Sequence, residues 1–216
     1  MDMMLKNLVD KIKRTMLPSF ETMSPEERHR AVKGSNSAEM AAQLLIAPTA
    51  LMQLTLQDAM IVVSYMTPLK ILRGTTFIKE GDKTDTAYMV LLLEGEVTVE
   101  NITVSRSEPV TVTVLGPGSL IGEMGLVDGE ARLASCTATT TVRCANLTRA
   151  ALERLTADDP ATAAKLVLAV ALRIAERLRD TAGKLKLYSQ LVLAMQQEID
   201  HMMPTPRELI GRSTRR

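Results

Sequence analysis

The chain has 216 residues, enough for one substantial domain with accessory elements. Its 26 basic and 25 acidic side chains nearly cancel, so no global field draws it to nucleic acid, and 2% aromatics with no Trp argue against extended stacking on single strands. Two cysteines are too few for a disulfide framework or a zinc site, and no apolar run reaches the length of a membrane span.

The first 50 residues read as a helical extension. Between residues 3 and 16, Met4, Leu5, Leu8, Val9, Ile12 and Met16 recur on one helical face, opposite Lys and Asp. Charges throughout this stretch leave no apolar core for a signal peptide, so a cytoplasmic location is expected. Ser24-Pro25-Glu26-Glu27 predicts a second helix, with Ser as cap, Pro in the first turn and Glu27 closing a capping box. Gly34-Ser35-Asn36-Ser37 is a turn, and a third helix runs from Ala38 to Ile46, before Pro48. Thr55 to about Met66 is a fourth, ended by Pro68.

From there the apolar period drops from 3.6 to 2. Strands are predicted at 69–72, 75–79, 86–93, 95–101, 109–115, 119–121, 133–139 and 141–147. Turn signals at Arg73-Gly74, Glu80-Gly81-Asp82, Glu94-Gly95 and Gly116-Pro117-Gly118 separate several of them. Short, evenly spaced strands with glycine turns argue for a sandwich or barrel over residues 51–160. The nearly all-apolar stretch 86–93 should be a central strand, and Cys136 and Cys144 read as small buried residues on neighbouring strands.

The helical period returns at Thr148, which caps a short helix through Leu155. Asp158-Asp159-Pro160 opens a long helix over 161–203. Ala171, Leu178, Leu185, Val192 and Ile199 repeat every seven residues, as do Ile174, Thr181, Tyr188, Met195 and Met202. Five heptads resemble a coiled coil and predict a homodimer along this helix; a single amphipathic helix packed on its own barrel is the alternative. Gly183 is a candidate break or hinge, costing about 1 kcal/mol relative to Ala. Residues 204–216 form a basic tail.

The chemistry concentrates in residues 119–135. Gly122 permits close backbone approach, Glu123 follows with a carboxylate, Met124 and Leu126 are apolar, and Arg132 comes nine residues after Glu123, followed by Leu133-Ala134. A carboxylate accepts from hydroxyls and a guanidinium forks onto two phosphate oxygens, so the set suits a ribose joined to a phosphate diester.

This segment resembles the phosphate-binding cassette of the cyclic nucleotide-binding domain family, with Gly122-Glu123-Met124-Gly125-Leu126 and Arg132-Leu133-Ala134 carrying the likeness. The resemblance extends from about residue 50 to 185, with Gly81 and Gly95 matching turn glycines. The span from Ala87 to Gly95 is one residue longer than the family pattern, which leaves the local register open. What the resemblance implies is a mixed α and β fold: an eight-stranded antiparallel β jelly-roll barrel, here with an N-terminal helical extension and a long C-terminal helix. It implies a cyclic nucleotide as ligand and no cofactor, with Gly122, Glu123, Met124, Arg132, Leu133 and Ala134 around the sugar-phosphate. Arg132 would hold the phosphate and Glu123 the ribose 2′-hydroxyl.

Leu133 lacks the hydroxyl with which cGMP-selective members reach guanine, which favours cAMP. Continuing the register into the long helix, Arg173 matches an arginine that braces the cassette glutamate. Arg177 falls where the family contacts the base; it could fork onto guanine, stack on adenine or point to solvent, so cGMP stays open. The dozen residues after Pro204 are too few for a helix-turn-helix, so direct DNA binding is not expected. His29 and His201 are isolated, and Ser119 and Ser135 lack a histidine partner, so neither a metal site nor enzymatic activity is expected. The reading is a stand-alone cyclic nucleotide sensor that closes its long helix over the ligand to regulate a protein effector, away from membranes. The alternatives are a ligand-free scaffold and a nucleic-acid regulator using the tail.

Overall fold

The computed structural model describes residues 23–84, 86–101 and 110–202. The helix expected at 3–16 and the basic tail 204–216 lie outside the described residues.

Among the described residues three short helices come first: α1 (Pro25–Val32), α2 (Asn36–Leu45) and α3 (Leu56–Ser64). At α1 the Glu27 amide donates to the Ser24 hydroxyl (3.3 Å), and the Ser24 amide donates to the Glu27 carboxylate (2.8 Å). Thr55 and Asp58 make the same reciprocal cap at α3. The expected turn at 34–37 gives way to helix at Asn36, two residues before Ala38.

Eight strands follow: β1 (Thr67–Ile71), β2 (Thr76–Ile78), β3 (Tyr88–Glu94), β4 (Val97–Asn101), β5 (Val110–Leu115), β6 (Leu120–Ile121), β7 (Ser135–Ala138) and β8 (Val142–Thr148). They form two four-stranded antiparallel sheets, in the orders β1-β8-β3-β6 and β2-β7-β4-β5. The eight antiparallel strands expected for a jelly roll are present as two facing sheets, and no strand pairing among the described residues joins one sheet to the other to close a barrel. β6 and β2, with two and three residues, stand at sheet edges and offer too few backbone groups to bridge.

Ile71, Val90, Leu92 and Val142 from the first sheet share one core with Ile78, Val97 and Ala138 from the second. Cys136 and Cys144 are both buried and form no disulfide, but β7 and β8 belong to opposite sheets rather than neighbouring positions. Burial pushes the Cys144 thiol up to about 12, so it is unreactive at neutral pH.

β3 is apolar on both faces because both are covered: Val90 and Leu92 enter the core, while Met89 and Leu91 are equally buried on the alternate face, where α2 packs. The extra residue between Ala87 and Gly95 is absorbed as a bulge. Leu92 pairs with Cys144 and Glu94 with Arg143, so Leu93 is the inserted position.

Between β6 and β7 lies α4 (Glu123–Asp128), a turn of helix that periodicity did not reveal. After the sheets come α5 (Arg149–Asp158), capped by Thr148 and running past Leu155, and α6 (Pro160–Met202). α6 is continuous through Gly183, the candidate break; the residues around that glycine propagate the helix despite its modest cost. The chain divides into two compact units, Met1–Arg173 and Ile174–Arg216.

In the first unit, Thr162, Ala163, Leu166, Ala169 and Val170 bury the start of α6. Lys165 Nζ pairs with Asp58 Oδ1 at 2.7 Å, and the Tyr65 hydroxyl donates to Asp158 at 2.8 Å. In the second unit, every described residue from Glu176 onward is exposed. No helix among the described residues is long and apolar enough to cross a membrane.

Candidate functional site

The backbone from Gly122 to Arg132 is shaped by what it has to hold. Gly122 caps α4 at φ 82°, a left-handed conformation costly for any other residue. A Cβ there would stand 2.5 Å from Arg132 Nη1 and 3.1 Å from the Tyr88 carbonyl oxygen. A Cβ on Gly125 would meet the Thr86 oxygen at 2.5 Å and Arg132 Nη1 at 2.8 Å. Both glycines are bare so that the guanidinium fits against the chain.

Arg132 is only 7% exposed. Nη1 donates to the Gly122 carbonyl at 3.1 Å, Nη2 donates to the Tyr88 carbonyl at 3.2 Å, and Cζ lies 4.3 Å from the Tyr88 ring centroid. Its backbone is anchored too: Arg132 N donates to Asp82 O at 3.0 Å and Gly81 N donates to Arg132 O at 2.8 Å. Two bonds from Thr84, amide and hydroxyl at 2.8 Å each, hold the Asp82 carboxyl below its ordinary range, and the Arg132 charge adds to this. Glu123 is 1% exposed, in the first turn of α4. The site therefore buries one carboxylate and one guanidinium in a single loop.

Three supports went unnoticed in sequence. Arg149 Nη2 donates to the carbonyls of Leu126 (2.8 Å) and Val127 (2.6 Å), satisfying the end of α4. The Thr86 hydroxyl donates to Gly129 O at 2.7 Å, tying the loop to the segment before β3. Tyr88 supplies both a carbonyl and a ring to Arg132, and its hydroxyl donates to Phe77 O at 3.2 Å. Only Tyr88 left a signal, as an aromatic opening an otherwise aliphatic strand; Arg149 lies too far along the chain for spacing to disclose it.

Of the residues read from sequence, the structure brings Gly122, Glu123 and Arg132 together. Met124 and Leu133 lie at the surface, 37% and 66% exposed, and Ala134 is half-buried. Arg173 is half-buried at the end of the first unit, while Arg177 is exposed in the second unit. Among the described residues no group of three or more His, Cys, Asp or Glu is placed to hold a metal ion.

The two packed antiparallel sheets are interrupted by a short helix and a loop that buries an arginine. Residues 68–159 match the family described as the cyclic nucleotide-binding domain.

The CRP-like cAMP-activated global transcriptional regulator of Mycobacterium tuberculosis is 29% identical over 140 residues, covering 65% of this chain and 56% of that protein. The chain thus spans little more than half the length of the curated relatives it matches. A cyclic nucleotide-binding domain from Methylobacillus flagellatus superposes with a TM-score of 0.57 at 27% identity, covering 68% of this chain and 81% of that one. The Thermus thermophilus catabolite activator protein gives 0.56 at 26% identity, over 63% and 61%.

Proposed function

We propose that this chain is a sensor that binds a cyclic nucleotide, cAMP ahead of cGMP, and passes the event through α6 to a protein partner. The observation that carries this is the Arg132 guanidinium, buried beside two glycines and bonded to neutral carbonyl oxygens. Carbonyl dipoles hold a buried cation less well than an anion does, so a phosphodiester offers stronger, charge-assisted bonds to the same donors.

In this reading Arg132 takes the phosphate and Glu123 accepts from the ribose 2′-hydroxyl. Met124, Leu133 and Ala134 contact the ligand beside them. Leu133 gives no hydroxyl to a guanine amino group, and the M. tuberculosis relatives are cAMP-activated; both support cAMP. Arg173 and Arg177 enter on sequence register alone, as residues on the base side. A partner selective for the ligand-bound form would raise nucleotide affinity by the factor that nucleotide raises its own.

Pairing with a second copy through α6 belongs to the same proposal. It is supported by exposed Leu178, Leu185, Val192 and Ile199 at one heptad position and Tyr188, Met195 and Met202 at the other.

Calorimetric titration with cAMP, cGMP and a cyclic dinucleotide tests the ligand. Saturable cAMP binding at one per chain, tighter than cGMP, is expected; heats of dilution with all three would overturn the nucleotide reading. Because the curated relatives are transcriptional regulators, a mobility-shift series at rising salt belongs beside it. Retention that falls steeply with salt would make DNA, rather than a protein, the target.

A further inference from the structure

We propose a second ligand site, on the far side of the first sheet from the core, that takes a medium-chain fatty carboxylate. A cavity of about 360 Å³ lies where α1, α2 and the end of α3 meet β1, β3 and β8. Pro68, Leu93 and Ala145 contribute from the strands, and Val32, Ala41 and Met66 from the helical side. The volume falls in the lower part of the range of small-molecule pockets, about 300–1,000 Å³. None of Gly122, Glu123 or Arg132 lines it, so the proposal does not depend on the nucleotide reading.

The polar groups of the cavity say what the apolar volume is for. Lys70 and Arg143 line it as direct cross-strand partners of β1 and β8. Two like charges placed opposite each other on one sheet face repel. Arg143 Nη1 is engaged by Glu94 Oε1 at 2.9 Å, whereas Lys70 is exposed and makes no ion pair among the described residues. No described Asp or Glu lines the cavity, and Ser35 and Ser37 add hydroxyls.

An apolar volume with a cation at its edge and no carboxylate of its own complements a ligand with one anionic end and a hydrocarbon body. Glu94 already pairs Arg143, so a carboxylate at Lys70 would pair the remaining cation, and the acyl chain would fill the space between helices and sheet. A flat protein partner would leave the cavity empty, and an amine would meet the wrong charge.

Decanoate, kept below its micellar concentration, is titrated into the full chain by calorimetry, with decanol and decylamine as comparators. We expect one decanoate per chain, with decanol and decylamine at least tenfold weaker. Lys70→Glu should weaken decanoate at least tenfold, and Ala31→Trp, which projects a large ring into the cavity from its exposed wall, should abolish binding. Both residues are exposed, so an unchanged melting curve verifies that each variant folds. Equal affinity for decanol, or indifference to Lys70→Glu, overturns the proposal. So does a change in sedimenting mass on Ala31→Trp without any decanoate binding, which would make this face a protein contact.

Discussion

The cassette between Gly122 and Arg132 and the helix beyond Arg173 break the usual burial rule in opposite directions. In the cassette, charged side chains are inside: Glu123 and Arg132 are 1% and 7% exposed. In the helix, apolar side chains are outside, with Leu178, Val192 and Met202 each more than 60% exposed. A buried charge is costly until something of opposite sign shares its environment, and an exposed apolar stripe is costly until another surface covers it. In the function proposed above, an anion completes one region and a second surface completes the other.

The contrast can be broken most forcefully at the helix. Leu185→Asp with Val192→Asp places two carboxylates on the apolar stripe of each copy. Self-association should weaken by more than about 4 kcal/mol, roughly a thousandfold, in sedimentation equilibrium. Nucleotide affinity measured on the resulting monomer shows whether the cassette needs the pairing.

At the cassette, Arg132→Ala removes both charge and fork. Cyclic nucleotide affinity should fall by about 3 kcal/mol, roughly a hundredfold, with Arg132→Lys recovering only part of it. Equal affinity in wild type and Arg132→Ala, by calorimetry, would remove the guanidinium from the site.

Gly122→Ala tests the loop that holds it. The left-handed backbone and the 2.5 Å approach to Nη1 should together destabilise the fold by about 2 kcal/mol in urea denaturation. Leu133→Thr offers a hydroxyl to guanine and should move the ratio of cGMP to cAMP affinity by about 1 kcal/mol, roughly fivefold, with little effect on stability.

The smallest effect concerns the clamp at the start of α6. Hydrogen bonds from Lys165, then from Thr55, hold the Asp58 carboxyl below its ordinary range. A lowered folded-state value means stability that is complete above the unfolded value, near 3.8, and lost as pH falls through the folded one. The stability difference between wild type and Asp58→Asn should therefore be constant above about pH 5 and shrink below about pH 4. Lys165 is more than half exposed, so solvent screening keeps the difference to about 1 kcal/mol.

Much of this architecture was legible because it is local. Capping boxes at Ser24 and Thr55, the Thr148 cap, the strand-period segments and the proline at the head of α6 each depend on neighbours within a few residues. The cassette was legible for the same reason, since Gly122, Glu123 and Arg132 lie on one short loop. What spacing could not disclose are relations between distant segments: the division of eight strands into two sheets, the bulge at Leu93, and Arg149 closing α4 from 22 residues away. The amino-acid order determined which segments become helix or strand and which loop carries the opposite charges of Glu123 and Arg132, because those follow from local sterics and periodicity. Only the tertiary structure decided that the arginine lies inward on Tyr88, that two glycines make way for it, and that a cavity with a cationic edge opens behind the sheet, because packing sets those distances.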